Sequence, residues 1–330
     1  MATPNTYSET LNNVYGTSRS AFLAKVTDQV YNTPSTLNDI VLRSGGVKKE
    51  KGRRLEWNVR LGRYTTTAWR AYDTSDPLVT ENPNTTLTAS DDWGTINLAM
   101  DVTDDFMRLC KGNPNLLYNG VEEKVDAGID ELLDRINRAL LASSTTTNAV
   151  QSLIAATPAS ISGTWQNIST TTYTDWATQT NTTGGSFASV GLNQIRSMIL
   201  TLSRGQDVDE PDLALCDNTV FGYVWQLNDT RDMIILEQEQ TGRRLARAMM
   251  IGNLKMRWDK RYPNSTTMRF FNSKYFDIAI QSESNKDGVS MGEWIHPNNA
   301  TKSTSILEWQ AQIRWKSLKF GGGQVSGWTA

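Results

Sequence analysis

The chain has 330 residues, which is enough for one large domain or two ordinary ones with an ample hydrophobic core. Its 33 basic and 35 acidic residues give a formal net charge of −2, which argues against a dedicated nucleic-acid-binding protein because such proteins carry a basic excess. No apolar run reaches the roughly 18 residues that a membrane-spanning helix needs. Cys110 and Cys216 lie far apart in no metal-binding spacing, so we expect buried thiols in a protein of a reducing compartment.

The N-terminal segment is polar. Residues 1–18 show no sustained hydrophobic period, which predicts an extended or flexible arm. The same stretch lacks the apolar core of a signal peptide, so the sequence predicts no secretion. A short helix is expected over residues 17–31, and Gly45 and Gly46 mark the end of the segment.

Two alternating runs of apolar and polar residues enclose a long polar stretch. The first run places Leu55, Trp57 and Val59 at every second position, and residues 93–102 alternate in the same way. About thirty mostly polar residues lie between the two runs. A loop of this length without its own core is unusual in a compact domain. The pattern therefore predicts a two-stranded arm that projects from the body of the protein.

This arm is strongly basic. Its cationic residues are Lys48, Lys49, Lys51, Arg53, Arg54, Arg60, Arg63 and Arg70. Only Glu50 and Glu56 oppose them, which leaves a local excess of six positive charges. Three interpretations stay open: a solvated strand face, a contact with nucleic acid, or a surface that pairs with acidic residues of another subunit.

Residues 113–142 have the clearest helical period in the chain, and we call this segment the spine helix. Its apolar stripe consists of Val121, Val125, Ile129, Leu132, Ile136 and Leu140. Asn113 followed by Pro114 predicts the helix start, because proline is well tolerated at the first helical position. Gly128 lies within the stripe and predicts a close packing contact. Such a helix is about 40 Å long, which suits a rigid central element.

The opposite side of the spine helix is acidic. Its carboxylates are Glu122, Glu123, Asp126, Asp130, Glu131 and Asp134, against Lys124, Arg135 and Arg138, which gives a net charge of −3 over residues 121–138. Opposite charges on one polypeptide favour self-association with a defined register. Candidate subunit-interface residues are therefore Lys48, Lys49, Lys51, Arg53, Arg54, Arg60, Arg63, Glu122, Glu123, Asp126, Asp130 and Asp134.

The second half of the chain predicts mixed helices and strands. Helices are expected over residues 190–202 and 219–227, and strands over Leu213–Cys216, 249–258, 268–279 and 307–315. In the last strand Trp309 and Trp315 share one face, which argues against an exposed edge. The alternation slips at Ser317, which predicts a β-bulge there.

No catalytic motif is present in the sequence. His296 is the only histidine, and it precedes Pro297 in a loop-like stretch. The nucleophile elbow, the phosphate-binding loop, the dinucleotide fingerprint and the CxxC pair are all missing. The acidic residues between positions 207 and 212 do not have the spacing of a calcium-binding EF-hand. We therefore expect a protein that is not an enzyme and that binds no cofactor or metal.

Several stretches carry a family resemblance that extends over nearly the whole chain. They are Gly45-Gly46 followed by LEWNVRL, the segment WGTINLAMDVTDDFMRL, the spine helix, the aromatic run over residues 165–176, and IGNLKMRWDKRYPNSTTMRFFNSKYFDIAI. In content and order the chain resembles the major capsid proteins of tailed bacteriophages, which share the Hong Kong 97-type fold. The resemblance is one of layout and local texture, since no single residue signature is diagnostic of this family.

The resemblance implies an α+β fold with five parts. These are an N-terminal arm (1–46), an extended loop (47–95), a peripheral domain with the spine helix (96–145), a mainly axial domain (146–285) and C-terminal strands that return to the peripheral domain (286–330). No long helical extension precedes the arm, which implies a separate scaffolding protein or its loss by processing. Within the extended loop, lysines occur only at its base, so we predict no lysine–asparagine crosslinks between subunits.

The function implied by the resemblance is structural. Family members self-assemble into hexamers and pentamers of an icosahedral shell around double-stranded DNA, which they contact non-specifically, and they work with portal and decoration proteins. The expected location is the virion, after synthesis in the bacterial cytoplasm and without a membrane. Two alternatives stay open: an encapsulin-like compartment shell, and a tail or adhesin-type binding protein suggested by the Thr- and Asn-rich stretches.

Overall fold

The computed structural model describes residues 48–62, 86–109, 114–158, 163–205, 209–229, 248–259, 261–263, 266–281, 289–298 and 300–329. The predicted arm over residues 1–46, the predicted buried thiol of Cys110 and the candidate Arg63 lie outside them. For Glu123 and Asp126 the description covers the helical backbone but not the side chain.

A first sheet forms the body around one long strand. Its strands are β1 (Lys48–Glu50), β4 (Gly94–Thr103), β13 (Phe276–Gln281), β14 (Val289–Met291) and β15 (Lys302–Trp315). Strand β15 pairs with β4, β13 and β14, all antiparallel, and β1 pairs with β13 in parallel. Because β15 has neighbours along its length, the prediction that this strand is not an exposed edge is confirmed.

A second sheet is buried on both faces. Its strands, in spatial order, are β10 (Ala248–Ile251), β11 (Leu254–Trp258), β9 (Leu213–Cys216), β12 (Thr267–Phe271), β16 (Gly322–Ser326) and β7 (Gln179–Asn181). Leu213 and Leu215 face one hydrophobic cluster, whereas Ala214 and Cys216 face the other. Burial on both faces explains why β9 is continuously apolar instead of alternating.

Helices cover both sheets. They are α1 (Asp104–Leu109), α2 (Pro114–Leu140), α3 (Leu153–Ala156), α4 (Leu192–Leu202), α5 (Asn218–Asp229) and α6 (Leu318–Gly321). Single helical turns lie at Thr174–Trp176, Phe187–Gly191 and Ser273–Tyr275. The short strands β5 (Thr164–Trp165), β6 (Ile168–Ser169), β8 (Gly185–Ser186) and β17 (Trp328–Thr329) form small ribbons. Among the described residues, no helix is long and apolar enough to cross a membrane.

The spine helix is α2, and its predicted apolar stripe is buried. Ile129, Leu132 and Ile136 are each 2 % exposed within the larger hydrophobic cluster. At Gly128 an added Cβ would lie 3.0 Å from Met100 Sδ on β4, which is closer than ordinary packing allows. The close contact predicted at this glycine is therefore confirmed. Each buried aliphatic side chain of the stripe contributes about 1.5–3 kcal/mol, so tertiary packing stabilises the helix against the sheet.

The two-stranded arm exists, but its second strand differs from the prediction. Strand β2 (Arg54–Arg60) pairs antiparallel with β3 (Thr86–Asp92), with Trp57 opposite Ala89. The run over residues 93–102, expected to be the returning strand, forms β4 of the first sheet instead. Strand β3 carries only Leu87 and Ala89 as apolar residues, too few for a visible alternation. We call β2 and β3 the loop hairpin.

The end of the chain also differs from the prediction. Strand β15 ends at Trp315, and α6 follows, so the expected bulge at Ser317 is wrong. Strand β16 then joins the second sheet through glycines that allow close approach. A Cβ at Gly322 would lie 2.7 Å from Thr157 Cγ2, and one at Gly323 would lie 2.8 Å from Met198 Sδ. The terminal strands are thus shared between the two sheets, and the division into five parts stays a prediction.

Candidate functional site

Residues 48–53 lead into the loop hairpin, and we call them the hairpin root. An ion cluster around Asp277 ties β1, the first part of this root, to β13 and β15. Asp277 is 0 % exposed and accepts hydrogen bonds from Arg314 Nε at 2.8 Å and Arg314 Nη2 at 3.0 Å. Lys48 Nζ lies 3.3 Å and Lys316 Nζ 3.1 Å from Asp277 Oδ2, the oxygen that also accepts the bond from Arg314 Nη2. Arg314 Nη1 also donates to Glu50 Oε1 at 2.8 Å. These five residues, the Asp277 cluster, connect β1 to β13 and β15.

The electrostatics of this cluster favour its ionised form. Burial is the largest influence on Asp277 and by itself raises the pKa, but the hydrogen bonds and charges of Arg314 and Lys316 outweigh burial, so the pKa of Asp277 lies below its ordinary value. Burial likewise lowers the pKa of Arg314, and the bonds to Asp277 and Glu50 reverse this and raise it. The cluster is stable only when complete, because removing one partner leaves buried charges uncompensated.

Two tryptophans attach the loop hairpin to its surroundings. Trp57 Nε1 donates to the carbonyl oxygen of Trp315 on β15 at 2.8 Å, across 258 positions of sequence. Trp93 Nε1 donates to the carbonyl oxygen of Gly52 at 2.9 Å. Both indoles bury an apolar body while their N–H groups find acceptors, as buried tryptophans usually do. The root of the hairpin is therefore held to the body by hydrogen bonds as well as by ions.

The structure separates the candidate basic residues into two groups. Lys48 and Arg54 have carboxylate partners in their own chain, in Asp277 and in Asp92, the latter at 2.7 Å. The second group is Lys51, Arg53 and Arg60, all exposed, with Lys51 and Arg53 before β2 and Arg60 at its far end opposite Thr86. Lys49 is exposed as well and has an interaction within the chain. Position in sequence alone did not distinguish these groups, because Asp277 lies more than two hundred residues away.

The candidate acidic residues are likewise only partly available. Asp134 pairs with Arg138 at 2.6 Å and with Arg261, and these cations keep its pKa below the ordinary value. Glu122 is half-buried on the same helix. Asp130 is exposed and has no ion-pair partner among the residues that the structure describes. The spine helix therefore presents Asp130 to solvent from its acidic side.

A cleft of about 700 Å³ lies beside residues 57–62, at the end of β2 that is opposite Thr86, and we call it the β2 cleft. Trp57, Tyr275 and Phe320 contribute aromatic walls. Its cationic lining residues are Arg60, Arg204, Lys274, Lys316 and Lys319, and the one acidic lining residue is Asp175. Only Arg60 of this set was a candidate from sequence, because the others lie in four separate segments that fold together here.

The single histidine has partners within the chain. His296 Nδ1 lies 3.2 Å from Ser303 Oγ and 3.8 Å from Asp104 Oδ1. Both neighbours approach the same ring nitrogen, so the three residues do not form a proton relay in which a base is oriented through its other nitrogen. Within the described ranges, no group of three or more histidine, cysteine, aspartate or glutamate residues is placed to hold a metal ion.

No protein-family model matches the sequence, and no curated protein matches it. Solved structures do match over most of the chain. A chain of the cyanophage A-1(L) capsid asymmetric unit superposes with a TM-score of 0.66 at 16 % identity, covering 88 % of this chain and 92 % of that one. The capsid of an empty GTA particle gives a TM-score of 0.58 at 12 % identity, with 90 % and 91 % covered.

A further match is the holo-SrpI encapsulin complex from Synechococcus elongatus PCC 7942, with a TM-score of 0.52, 10 % identity, and 84 % and 83 % of the two chains covered. Identities this low establish the fold alone. The α+β fold of the Hong Kong 97 type, expected from the sequence, is confirmed. Fold by itself does not fix function, because one fold serves several roles.

Proposed function

We propose that this chain is the major capsid subunit of a tailed bacteriophage, which self-assembles into hexamers and pentamers of an icosahedral shell enclosing double-stranded DNA. The observation that carries the proposal is the match to phage capsid structures along nearly the whole length of both chains. The match includes about nine tenths of each chain, so it covers the complete architecture instead of one shared motif. A near-neutral total charge also suits a shell around DNA that must stay movable.

The proposed subunit interface uses opposite charges. Its basic side is residues 48–63, and its acidic side is the spine helix of a neighbouring subunit. The proposed basic residues are Lys48, Lys49, Lys51, Arg53, Arg54, Arg60 and Arg63, and the proposed acidic ones are Glu122, Glu123, Asp126, Asp130 and Asp134. Exposed members contribute through steering and register, since charge complementarity sets specificity more than affinity. Lys48 and Arg54 contribute by holding the hairpin root in place.

The proposed division of labour follows the five parts predicted from sequence. Residues 47–95 reach towards a neighbouring subunit, 96–145 and 286–330 form the periphery of each capsomer, and 146–285 lie mainly near its axis, with 1–46 as the arm. A separate scaffolding protein, a portal and decoration proteins are the proposed partners. The proposed location is the virion.

An encapsulin-like compartment is the second candidate, and it is favoured by the likeness to the SrpI encapsulin. The likeness to the cyanophage capsid is higher, with a TM-score of 0.66 against 0.52, so we rank the virus shell first. The two functions differ in their contents: a virus shell encloses DNA, and a compartment encloses cargo protein.

The test is negative-stain electron microscopy of the protein expressed alone and together with its genomic neighbours. Uniform shells tens of nanometres across, or isolated hexamers and pentamers, are the expected result. Nuclease-protected DNA in particles assembled with the neighbours supports the virus, and a co-purifying cargo enzyme supports the compartment. A monodisperse monomer or trimer under every condition contradicts both.

A further inference from the structure

The β2 cleft carries more positive charge than its own ion pairs compensate. Three of its five lining cations have carboxylate partners: Lys274 with Asp209 at 3.3 Å, Lys316 with Asp277 at 3.1 Å, and Lys319 with Asp175 at 2.5 Å. The other two, Arg60 and Arg204, are exposed and have no carboxylate partner in the part of the chain that the structure describes. Five cations against three carboxylates leave a surplus of two positive charges, which matches a doubly charged anion.

Neutral groups orient the Arg204 side chain. Its guanidinium lies 5.7 Å from the centre of the Phe320 ring. It also lies next to the Tyr275 hydroxyl, because Arg204 opposes the rise in the pKa of Tyr275 that burial causes. That hydroxyl donates a hydrogen bond to Asp209 at 3.1 Å, and Asp209 pairs with Lys274. A guanidinium fixed in this way is prepared to bind a phosphate through two parallel hydrogen bonds.

Trp57 supplies a fixed aromatic surface in the same cleft. Its indole is half-buried, and the hydrogen bond from Nε1 to the carbonyl oxygen of Trp315 at 2.8 Å holds the ring in one orientation. Arg60 ends β2 three residues later and lines the same cleft. Aromatic rings combined with cations bind nucleotides, because every base has an aromatic face and every phosphate is anionic.

The size and chemistry of the cleft favour a nucleotide over an acidic peptide side chain. Its volume of about 700 Å³ lies within the range of small-ligand sites, roughly 300–1,000 Å³. A carboxylate side chain has one charge and no aromatic face, so it uses neither the second arginine nor Trp57. A nucleoside monophosphate uses both arginines and the indole.

We propose that the β2 cleft binds a nucleotide, with Arg60 and Arg204 receiving the phosphate and Trp57 stacking on the base. The ligand is a free nucleoside monophosphate or an unpaired nucleotide of a nucleic-acid strand, since both present the same groups. Bases within a duplex are stacked inside and out of reach. No phosphate-binding motif marks this site in the sequence, because its residues belong to separate segments that meet only in the fold. The site goes beyond the proposed shell function and does not depend on it.

The ligand class is tested by calorimetric titration of the purified full-length chain at low salt. The probes are deoxyadenosine monophosphate, deoxyribose 5-phosphate, deoxyadenosine and a hexaglutamate peptide. We expect the nucleotide to bind about tenfold more tightly than the sugar phosphate, because only the nucleotide stacks on Trp57. Deoxyadenosine lacks the phosphate and binds at least about tenfold more weakly than the nucleotide. Equal affinities for the nucleotide and the sugar phosphate, or tighter binding of hexaglutamate than of the nucleotide, overturn the proposal.

The position of the site is tested by substitutions inside and outside the cleft. Arg60→Gln and Arg204→Gln remove the surplus charges, and each weakens binding of the nucleotide about tenfold. Arg53→Gln is the matched control, because Arg53 is an exposed arginine of the hairpin root that does not line the cleft. It changes the affinity about twofold or less. Unchanged thermal melting shows that each variant folds, and a folded Arg204→Gln variant that binds like the parent overturns the assignment.

Trp57→Leu separates stacking from charge. It removes the preference for the nucleotide over the sugar phosphate and leaves the affinity for the sugar phosphate within about twofold of the parent. If the folded variant keeps the full preference for the nucleotide, the base does not stack on Trp57 and the proposed arrangement is wrong.

A single-stranded octadeoxyadenylate with a 5′-phosphate distinguishes the two sources of the nucleotide. Binding about tenfold or more tighter than that of the mononucleotide, weakening steeply with salt, assigns the site to a nucleic-acid strand. Equal affinity assigns it to free nucleotides, and either result supports a nucleotide site. If neither the strand nor the mononucleotide binds, the proposal is overturned, and the shell function, which microscopy tests, is unaffected.

Discussion

The Asp277→Asn substitution tests whether the Asp277 cluster fixes β1, the strand that leads into the loop hairpin, on the first sheet. Asparagine keeps the volume of the side chain but removes its charge. Arg314, whose side chain is 12 % exposed, then loses its two-bond partner and keeps only Glu50. Removing one partner of a buried ion pair costs about 3–5 kcal/mol. Because the amide oxygen of asparagine still accepts one hydrogen bond, we expect a loss near the lower end, about 3 kcal/mol.

Asp92→Asn is the matched control. It removes the same charge from the ion pair of Arg54 and Asp92, in which the Asp92 side chain is 77 % exposed. Exposed pairs contribute about 1 kcal/mol or less, so the control loses little stability. Urea unfolding of unassembled subunits, followed by tryptophan fluorescence, gives both free energies of unfolding. A cost for Asp277→Asn that does not exceed that of the control refutes the role we assign to the cluster.

The pH dependence of the stability difference between the parent and Asp277→Asn distinguishes an effect of charge from an effect of packing. The folded state lowers the pKa of Asp277, so this contribution to stability is present above the unfolded-state pKa of about 4 and is lost as the pH falls below it. The stability difference between the parent and Asp277→Asn is therefore constant from about pH 6 to 8 and shrinks below about pH 4. An undiminished difference at about pH 3 means that the substitution acts through packing.

Three further predictions concern stability. Burial raises the pKa of Asp91 to about 6, so the folded parent gains stability as the pH falls from about 6 to 4. Asp91→Asn lacks that gain and is more stable than the parent by about 2 kcal/mol at about pH 7.5. Urea unfolding at about pH 4 and at about pH 7.5 measures both effects. Gly128→Leu forces the spine helix away from Met100 and lowers the stability by about 2 kcal/mol or more in thermal melts. The control Ala127→Leu changes an exposed neighbouring residue and is near neutral. Equal melting temperatures of the two variants disprove the close contact at Gly128. The buried Ser152 hydroxyl caps α3 by accepting hydrogen bonds from two backbone N–H groups at the start of this helix. Ser152→Ala therefore lowers the free energy of unfolding in urea by about 1–2 kcal/mol. An unchanged urea midpoint argues against a stabilising role of this cap.

Elements with a sustained period were predictable from the sequence. Six apolar residues at helical spacing identified the spine helix, and the structure places its start at Pro114, the predicted first position. Alternation identified β15, and a short apolar run identified Leu213–Cys216. In each case the packing partner is a large continuous hydrophobic surface. That surface selects apolar residues at every contact position, and the selection leaves a readable pattern.

The features that the sequence did not reveal depend on contacts between distant segments. Strand β3 is stabilised by pairing with β2 and carries little apolar pattern of its own. The position of β16 in the second sheet depends on close contacts of its glycines with Thr157 and Met198, which no local pattern encodes. Likewise, the basic hairpin was visible as a charge run in the sequence. The ion pair of Lys48 with Asp277 and the position of Arg204 in the β2 cleft follow only from the folded chain.

Sedimentation velocity of the purified parent chain tests the central claim, self-assembly into capsomers and shells, most directly. The subunit mass is 36.9 kDa, so a hexamer has six times this mass, about 220 kDa, and a complete shell sediments as a far larger uniform species. We expect capsomers or shells that dissociate as salt rises, because the proposed interface is charged. A single monomeric or trimeric species at all protein and salt concentrations, alone and with the products of neighbouring genes, contradicts a capsid role.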